Sequence, residues 1–317
     1  MNSPEVQSNI MDGRKFSKEY SDLVLKPRCE ILEEQYDKTP KLSTIIVGDN
    51  PASESYRRIR EKFFANFCID YNVTRLPEET TQEELLEIID NQNNDLSIDG
   101  IMVQLPLPSH IVEDKIIESI TPNKDIEGLS PENVYAWTKS KPNLVPATAI
   151  GVLALLKYYN VPLEGKHVVV VGRSMIVSKP VAHLLLRENA TVTICHSRSQ
   201  PLERYTKDAD ILITAAGKAH LIRKGMIKKG AIIVDVGINF ENGKLLGDVD
   251  FDDLKEDALL ISPVPGGSGP ATVSMLASNL FLAFELNQIK DDKELERCVR
   301  DYYENYTMEE VQNFCIY

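Results

Sequence analysis

The stretch His167–Ser199, HVVVVGRSMIVSKPVAHLLLRENATVTICHSRS, decides the fold. Val168 to Val171 form a β-branched run that stops at Gly172. Gly172-Arg173-Ser174 turns the chain, an apolar-periodic helix follows, and Thr191 to Cys195 resumes a β-rich run. That pattern spells strand, glycine turn, helix, strand: a βαβ unit. The unpaired N–H groups at a helix start carry partial positive charge, so the turn suits an anion, and a dinucleotide pyrophosphate is the usual occupant. The full G-x-G-x-x-G fingerprint is absent, because only Gly172 is present and Ser178 stands where a later glycine would come. From this segment alone, a dinucleotide site and a βαβ unit that binds nothing are equally good readings.

The same alternation extends to both sides. Upstream, residues 13–38 predict an amphipathic helix, Lys41 to Val47 a buried strand ending in the turn Gly48-Asp49-Asn50-Pro51, and Ala52 to Phe67 a helix. Glu83 to Ile89 predicts another helix, and Asp99 to Leu105 a strand running into Pro106 and Pro108. A loop-like stretch from Pro122 to Asn133 precedes a helix over Ala149–Tyr159, which would link two lobes. Downstream, Asp210 to Ala215, Ala231 to Val236 and Leu259 to Ile261 predict strands, the first two closed by Gly217 and Gly237. Strands alternating with helices imply parallel sheets covered by helices. The expected architecture is therefore two α/β lobes with parallel sheets, the second a Rossmann-type dinucleotide-binding domain, with a cleft between them. The expected bounds are 1–148, completed by a helix over 273–290, then 149–272, then a tail over 291–317 in which no chemistry is legible.

At 317 residues the chain suits two domains with real cores. Its net charge of −13 argues against nucleic acid, whose phosphates it would repel. No apolar run is long enough for a membrane span, and the N-terminus lacks a signal pattern, so the cytoplasm is the expected compartment. Five widely spaced cysteines suggest neither a disulfide framework nor a zinc site, and no metal is expected.

Six motifs occur in order: VGDNPASESY (47–56), DGIMVQLPLP (99–108), PNKDIEG (122–128), VVGRSMIV (170–177), ATVTICHS (190–197) and PVPGGSGPAT (263–272). Together they resemble the methylenetetrahydrofolate dehydrogenase/cyclohydrolase family over roughly residues 12–290. The resemblance implies oxidation of 5,10-methylenetetrahydrofolate with a nicotinamide cofactor, then hydrolysis of the methenyl product to 10-formyltetrahydrofolate. It implies tetrahydrofolate derivatives as substrates and a homodimer. It places Tyr56, Arg60, Gln104 and Asp125 in the catalytic set. Val103, Leu105 and the loop Pro265, Gly266, Gly267, Ser268, Gly269 join Tyr56, Gln104 and Asp125 around the folate. Gly172, Arg173, Ser174, Ser197, Arg198 and Ile238 fall to the cofactor.

Arg60 is the most consequential departure, since the family carries a catalytic lysine there. Lysine can lose its proton when buried; arginine effectively cannot. Hydride transfer needs positioning rather than a protein base. Hydrolysis needs general acid–base work. The expectation is a dehydrogenase with a doubtful cyclohydrolase step; the alternatives are a fully bifunctional enzyme and a non-catalytic folate-binding homologue. Asp125 is expected to accept two parallel hydrogen bonds from the pterin edge. Ser268 and Ala271 depart from the family's valine and methionine in the glycine-rich loop, and Ala147 and Ala149 depart from its Pro-Cys-Thr-Pro pattern. An NAD site usually places an acidic residue at the end of the second strand. Here that strand ends Cys195-His196-Ser197-Arg198, and a hydroxyl with a guanidinium favours a 2′-phosphate, hence NADP over NAD. His196 reads as a loop residue near the ribose.

Overall fold

A computed structural model describes residues 9–49, 51–139, 143–241, 243–289 and 297–299; the side chains of residues 51–56 lie outside the description. In chain order the elements are α1 (Gly13–Tyr20), a π-helical turn (Ser21–Leu25), α2 (Lys26–Tyr36), β1 (Lys41–Val47), α3 (Pro51–Phe64), β2 (Asp70–Leu76) and α4 (Gln82–Asn94). Then come β3 (Gly100–Val103), α5 (Glu113–Glu118), a 3-10 turn (Pro122–Lys124), α6 (Pro131–Thr138) and α7 (Ala147–Tyr158). β4 (His167–Val171), α8 (Ser178–Arg187), β5 (Thr191–Cys195), α9 (Glu203–Thr206), β6 (Ile211–Thr214) and β7 (Ile232–Asp235) follow. A hairpin of β8 (Asn239–Glu241) and β9 (Lys244–Leu246), then α10 (Phe251–Leu254), β10 (Leu260–Ile261) and α11 (Ser268–Gln288), complete the described fold.

The chain divides into two compact units. One joins Glu19–Ala147 to the described residues from Val273 onward. Its sheet has the order β2-β1-β3, all parallel. β1 and β3 are buried along nearly their whole length, which is why they read as continuous apolar runs. Ile45, Val47, Ile101 and Val103 of these strands pack with Leu85 and Ile89 of α4. α4 opens with a capping box in which the Thr81 side chain accepts from Glu84 N–H and the Glu84 carboxylate accepts from Thr81 N–H. β2 alternates half-buried and exposed residues, as an edge strand does.

The other unit joins residues 9–18 to Thr148–Thr272. Its five-stranded sheet has the order β10-β7-β6-β4-β5, again parallel throughout. β4, β6 and β7 are buried on both faces, and Val169, Leu212, Ile233 and Ile261 contribute to one core. The strand order reverses between β4 and β6, and ligands of such sheets sit outside the carboxyl ends of the strands at that reversal. Residues 9–11 lie along the far edge, where Met11 N–H donates to Ile261 O at 2.9 Å.

One expectation from the cysteine spacing is corrected. Cys29 and Cys68 form a disulfide with their Cα atoms 5.7 Å apart. The pairing links α2 to the end of the α3 segment, a proximity made by folding and invisible in a separation of 39 residues. Cys195 is buried and free. Among the described residues no helix is long and apolar enough to cross a membrane, and no group of side chains suits a metal.

Candidate active site

The first cluster of site residues belongs to the three-stranded unit. Arg60 lies on α3 and is 2% exposed. Its Nη2 donates to Gln104 Oε1 at 2.5 Å, just beyond the end of β3, and its Nη1 to Met102 Sδ at 2.9 Å. Gln104 is fixed in turn, because its Nε2 donates to Leu105 O at 2.8 Å. Arg60 is therefore paired with the Gln104 amide oxygen. Val103 is buried and Leu105 half-buried beside it. Tyr56 sits one helical turn before Arg60 on α3; its side chain lies outside the described residues.

The loop after the 3-10 turn supplies the carboxylates. Asp125 is 2% exposed. Its Oδ2 accepts from Ser130 N at 2.6 Å and from Asn133 Nδ2 at 3.0 Å. Burial raises its pKa, and those hydrogen bonds pull it back in part. The sequence reading points this carboxylate outward at a pterin; the structure turns it inward to hold its own loop to α6. The reason is local. Ser130 is the N-cap of α6, where backbone N–H groups need acceptors, and Asn133, inside the first turn, adds its side-chain amide.

Glu127, which the sequence reading passed over, has the opposite character. It is half-buried, and no hydrogen bond to it occurs among the described residues. Burial pushes its pKa up to about 7; the Arg60 charge acts downward and the Asp125 charge upward. The only sequence signal for it is its place two residues after Asp125 in the same motif. The loop that presents it is held by hydrogen bonds and by a glycine-only turn. Asn279 Nδ2 donates to both Ile126 O and Val145 O at 2.8 Å. Gly128 has φ +65°, and a Cβ there would come within 2.7 Å of the Val145 carbonyl carbon, so only glycine fits.

The second cluster belongs to the five-stranded unit and gathers at the carboxyl ends of its strands. Gly172 ends β4 with φ +140°, and an added Cβ would lie 2.4 Å from both Ala215 O and Ser178 Oγ. Its N–H donates to Cys195 O at 2.8 Å, joining the turn to β5. Arg173 and Ser174 are exposed. Ser174 Oγ accepts from Val177 N at 3.2 Å and Ser178 N at 3.3 Å, which caps the entry to α8. Ser197 and Arg198 are exposed beyond β5, and His196 Nδ1 accepts from Arg198 N at 3.1 Å, so His196 shapes this turn. Ile238 is 63% exposed after β7.

The same edge carries the proline-glycine loop. Ser268 Oγ donates to Asp235 O at 2.8 Å, and Gly267 N to Pro263 O at 2.8 Å. Gly266 and Gly267 pack against the start of α1: Gly13 N donates to Gly266 O at 2.8 Å. Pro265, Gly266, Gly267, Ser268 and Gly269 therefore stand in the same unit as Gly172, Arg173, Ser174, Ser197, Arg198 and Ile238, whereas Arg60, Gln104, Asp125 and Glu127 stand in the other unit.

Two family models cover most of this chain. The tetrahydrofolate dehydrogenase/cyclohydrolase catalytic domain matches residues 11–127, and the NAD(P)-binding domain of the same family matches residues 146–288. The chain belongs to the tetrahydrofolate dehydrogenase/cyclohydrolase family. A protein of Exiguobacterium sibiricum named bifunctional protein FolD is 48% identical over 270 residues, covering 85% of this chain and 97% of the relative. The Bacillus subtilis protein of that name is 47% identical over 273 residues, covering 86% and 96%. Among solved structures, the bifunctional methylenetetrahydrofolate dehydrogenase/cyclohydrolase of Campylobacter jejuni superposes with a TM-score of 0.84 at 42% identity, covering 88% of this chain and 99% of that one. The Trypanosoma brucei enzyme, complexed with NADP and an inhibitor, has a TM-score of 0.84 at 38% identity, covering 89% and 98%.

Proposed function

We propose that this chain oxidises 5,10-methylenetetrahydrofolate to 5,10-methenyltetrahydrofolate with NADP. The observation that carries the reading is the glycine-only turn at Gly172, with exposed Ser197 and Arg198 at the next strand end, in a chain of this family. The turn fits a dinucleotide. Any side chain at position 172 would fill the space under the backbone, and the N–H groups entering α8 suit a pyrophosphate. Arg173 and Ser174 would flank that pyrophosphate. Ser197 and Arg198 would hold a ribose 2′-phosphate through a hydroxyl and a guanidinium. When bound, the cofactor supplies the hydride acceptor.

The chain's own residues then position the substrate. Arg60 and Gln104, locked to each other, present a fixed cation and amide to the folate, while Asp125 holds the loop that carries Glu127. No protein base is needed for hydride departure, so this half-reaction tolerates arginine at position 60. The hydrolytic half-reaction is slow in this reading, because Arg60 keeps its proton. A second reading, full bifunctionality with release of 10-formyltetrahydrofolate, is favoured by the names of the bacterial relatives. A cytoplasmic homodimer completes the proposal.

The test is purified protein with 5,10-methylenetetrahydrofolate and either cofactor, following methenyl absorbance. NADP should give the higher kcat/KM, and Arg198→Glu should lower the NADP value about tenfold or more, as expected for a lost charge-assisted contact. Methenyl product should accumulate before it is hydrolysed. No oxidation with either cofactor would overturn the reading; no accumulation would favour the bifunctional one.

A further inference from the structure

We propose that the Cys29–Cys68 pair is a thiol–disulfide modification site whose state sets the affinity of this chain for folate. The inference rests on the folate reading above and adds a control to it.

The bond joins an anchored helix to the helix that carries Arg60. α2 is tied to α11, because the Arg28 guanidinium donates to the Glu285 carboxylate and the Tyr36 ring meets Phe284 edge-on at 5.3 Å. On α3, Phe64 follows Arg60 by four residues, so the two share a face. Phe64 is fully buried and packs edge-on against Tyr71 of β2 at 5.5 Å. The chain continues to Cys68 through hydrogen-bonded turns, with Ala65 N–H donating to Glu61 O and Phe67 N–H to Phe64 O, each at 3.0 Å. A bond at Cys68 therefore restrains the end of a continuous segment that holds Arg60 against Gln104. Without the bond, Phe64 still keeps α3 in the core, but Arg60 is less closely fixed. A binding group fixed in advance loses less freedom when its ligand arrives, so the bonded state binds folate more tightly.

The two sulfurs differ in access. Cys29 is 7% exposed, whereas Cys68 is half-buried. Cys68 N–H donates to Cys29 Sγ at 2.7 Å, which favours a thiolate at Cys29. A small thiolate attacks Cys68 Sγ: a new S–S bond forms, the Cys29–Cys68 bond breaks, and its electron pair leaves on Cys29 Sγ. A second small thiolate attacks the mixed disulfide and releases Cys68 as a thiolate. Each protein sulfur takes up a proton, two electrons enter the pair, and two small thiols depart as one disulfide. The reverse exchange, with a small disulfide as the oxidant, restores the bond. In the cytoplasm proposed above, a disulfide is usually of this exchanging kind.

The experiment poises the full-length protein in mixtures of glutathione and glutathione disulfide, from fully reducing to fully oxidising. Maleimide labelling counts free thiols, and calorimetry gives Kd for tetrahydrofolate and for NADP. Cys29 and Cys68 should lose label together as the mixture becomes oxidising. The tetrahydrofolate Kd should be about fivefold or more higher in the reduced state, with the NADP Kd unchanged. NADP is the check on general damage, because its proposed residues lie in the other unit. Cys68→Ser should keep the reduced-state folate Kd in every mixture, and Cys298→Ser should respond as wild type does. If Cys68→Ser does not fold, the wild-type titration decides alone, since it needs no substitution. A pair that never exchanges, a folate Kd that moves by less than about twofold, or a Cys68→Ser protein that still responds overturns the proposal. NADP-dependent oxidation by the same preparation separates the two readings. Oxidation present with a folate Kd indifferent to the pair overturns this inference alone, whereas absent oxidation in both states overturns the function itself.

Discussion

In the five-stranded unit, Asp235 and Asp248 are buried and each accepts four hydrogen bonds. Asp248 accepts from the N–H groups of Ala216, Gly217 and Lys218 at 2.5, 3.2 and 2.8 Å, and from Asn239 Nδ2 at 3.0 Å. Asp235 accepts from Thr214 Oγ1 at 3.0 Å and from the N–H groups of Gly237, Asp248 and Val249 at 2.9, 3.1 and 2.9 Å. In the three-stranded unit, Glu127 accepts none among the described residues. Yet Asp235 and Glu127 are both pushed up, to about 6 and about 7. A shifted pKa therefore does not mark a reactive group. Donor count and access do: Asp235 and Asp248 tie loops together, and Glu127 stays available.

The largest effect should come from removing the most heavily used carboxylate. Asp248→Ala would strand three consecutive backbone donors in the loop after β6, beside the Gly172 turn. Ala216, Gly217 and Lys218 are exposed, so water takes up part of what the carboxylate gave; with bonds to a charged group contributing about 1.5–3 kcal/mol each, urea unfolding should show a loss of about 3–5 kcal/mol. A loss under about 1 kcal/mol would mean that solvent replaces the carboxylate easily and would break the contrast with Glu127.

The next effect sharpens the contrast inside one loop. Asp125→Asn weakens a charge-assisted bond to Ser130 N–H and should destabilise by about 1–3 kcal/mol. Glu127→Gln removes a charge that burial already disfavours, so its unfolding free energy should move by less than about 0.5 kcal/mol. Equal losses for the two variants would show that Glu127 is as structural as Asp125.

The sequence made much of this legible, for reasons that differ by residue. Runs such as Val168–Val171 and Ile211–Thr214 are buried on both faces, so their composition alone reports a parallel sheet. Gly172 was legible because one backbone geometry excludes every other residue. β2 was not: Asp70, Asn72, Thr74 and Arg75 interrupt it, and only its pairing with β1 makes it a strand. The Cys29–Cys68 bond and the division of labour between Asp125 and Glu127 were hidden for the same reason. Each depends on which partner groups arrive by folding. A motif names both carboxylates, and only Ser130 and Asn133, brought round by α6, decide which one is spent.

The smallest effect concerns pH. An unfolded aspartate titrates near ~3.9, whereas burial and the adjacent Asp248 charge push folded Asp235 up to about 6, against the pull of its hydrogen bonds. Between those values the folded protein holds a proton that the unfolded chain has released. The contribution of Asp235 to stability is therefore fully present below about pH 4 and is lost as pH rises through about 6. Asp235→Asn does not titrate and should melt lower than wild type near neutrality, because an amide cannot accept from four donors as the carboxylate does. On acidification from about pH 7 to about pH 5, the melting temperatures should diverge further in favour of wild type, with other carboxylates cancelling in the difference. A constant difference would mean that the four donors already hold the folded carboxylate near its unfolded pKa. Asp235 would then be a purely ionised clasp, and Glu127 would be left as the carboxyl of this comparison that titrates near neutrality.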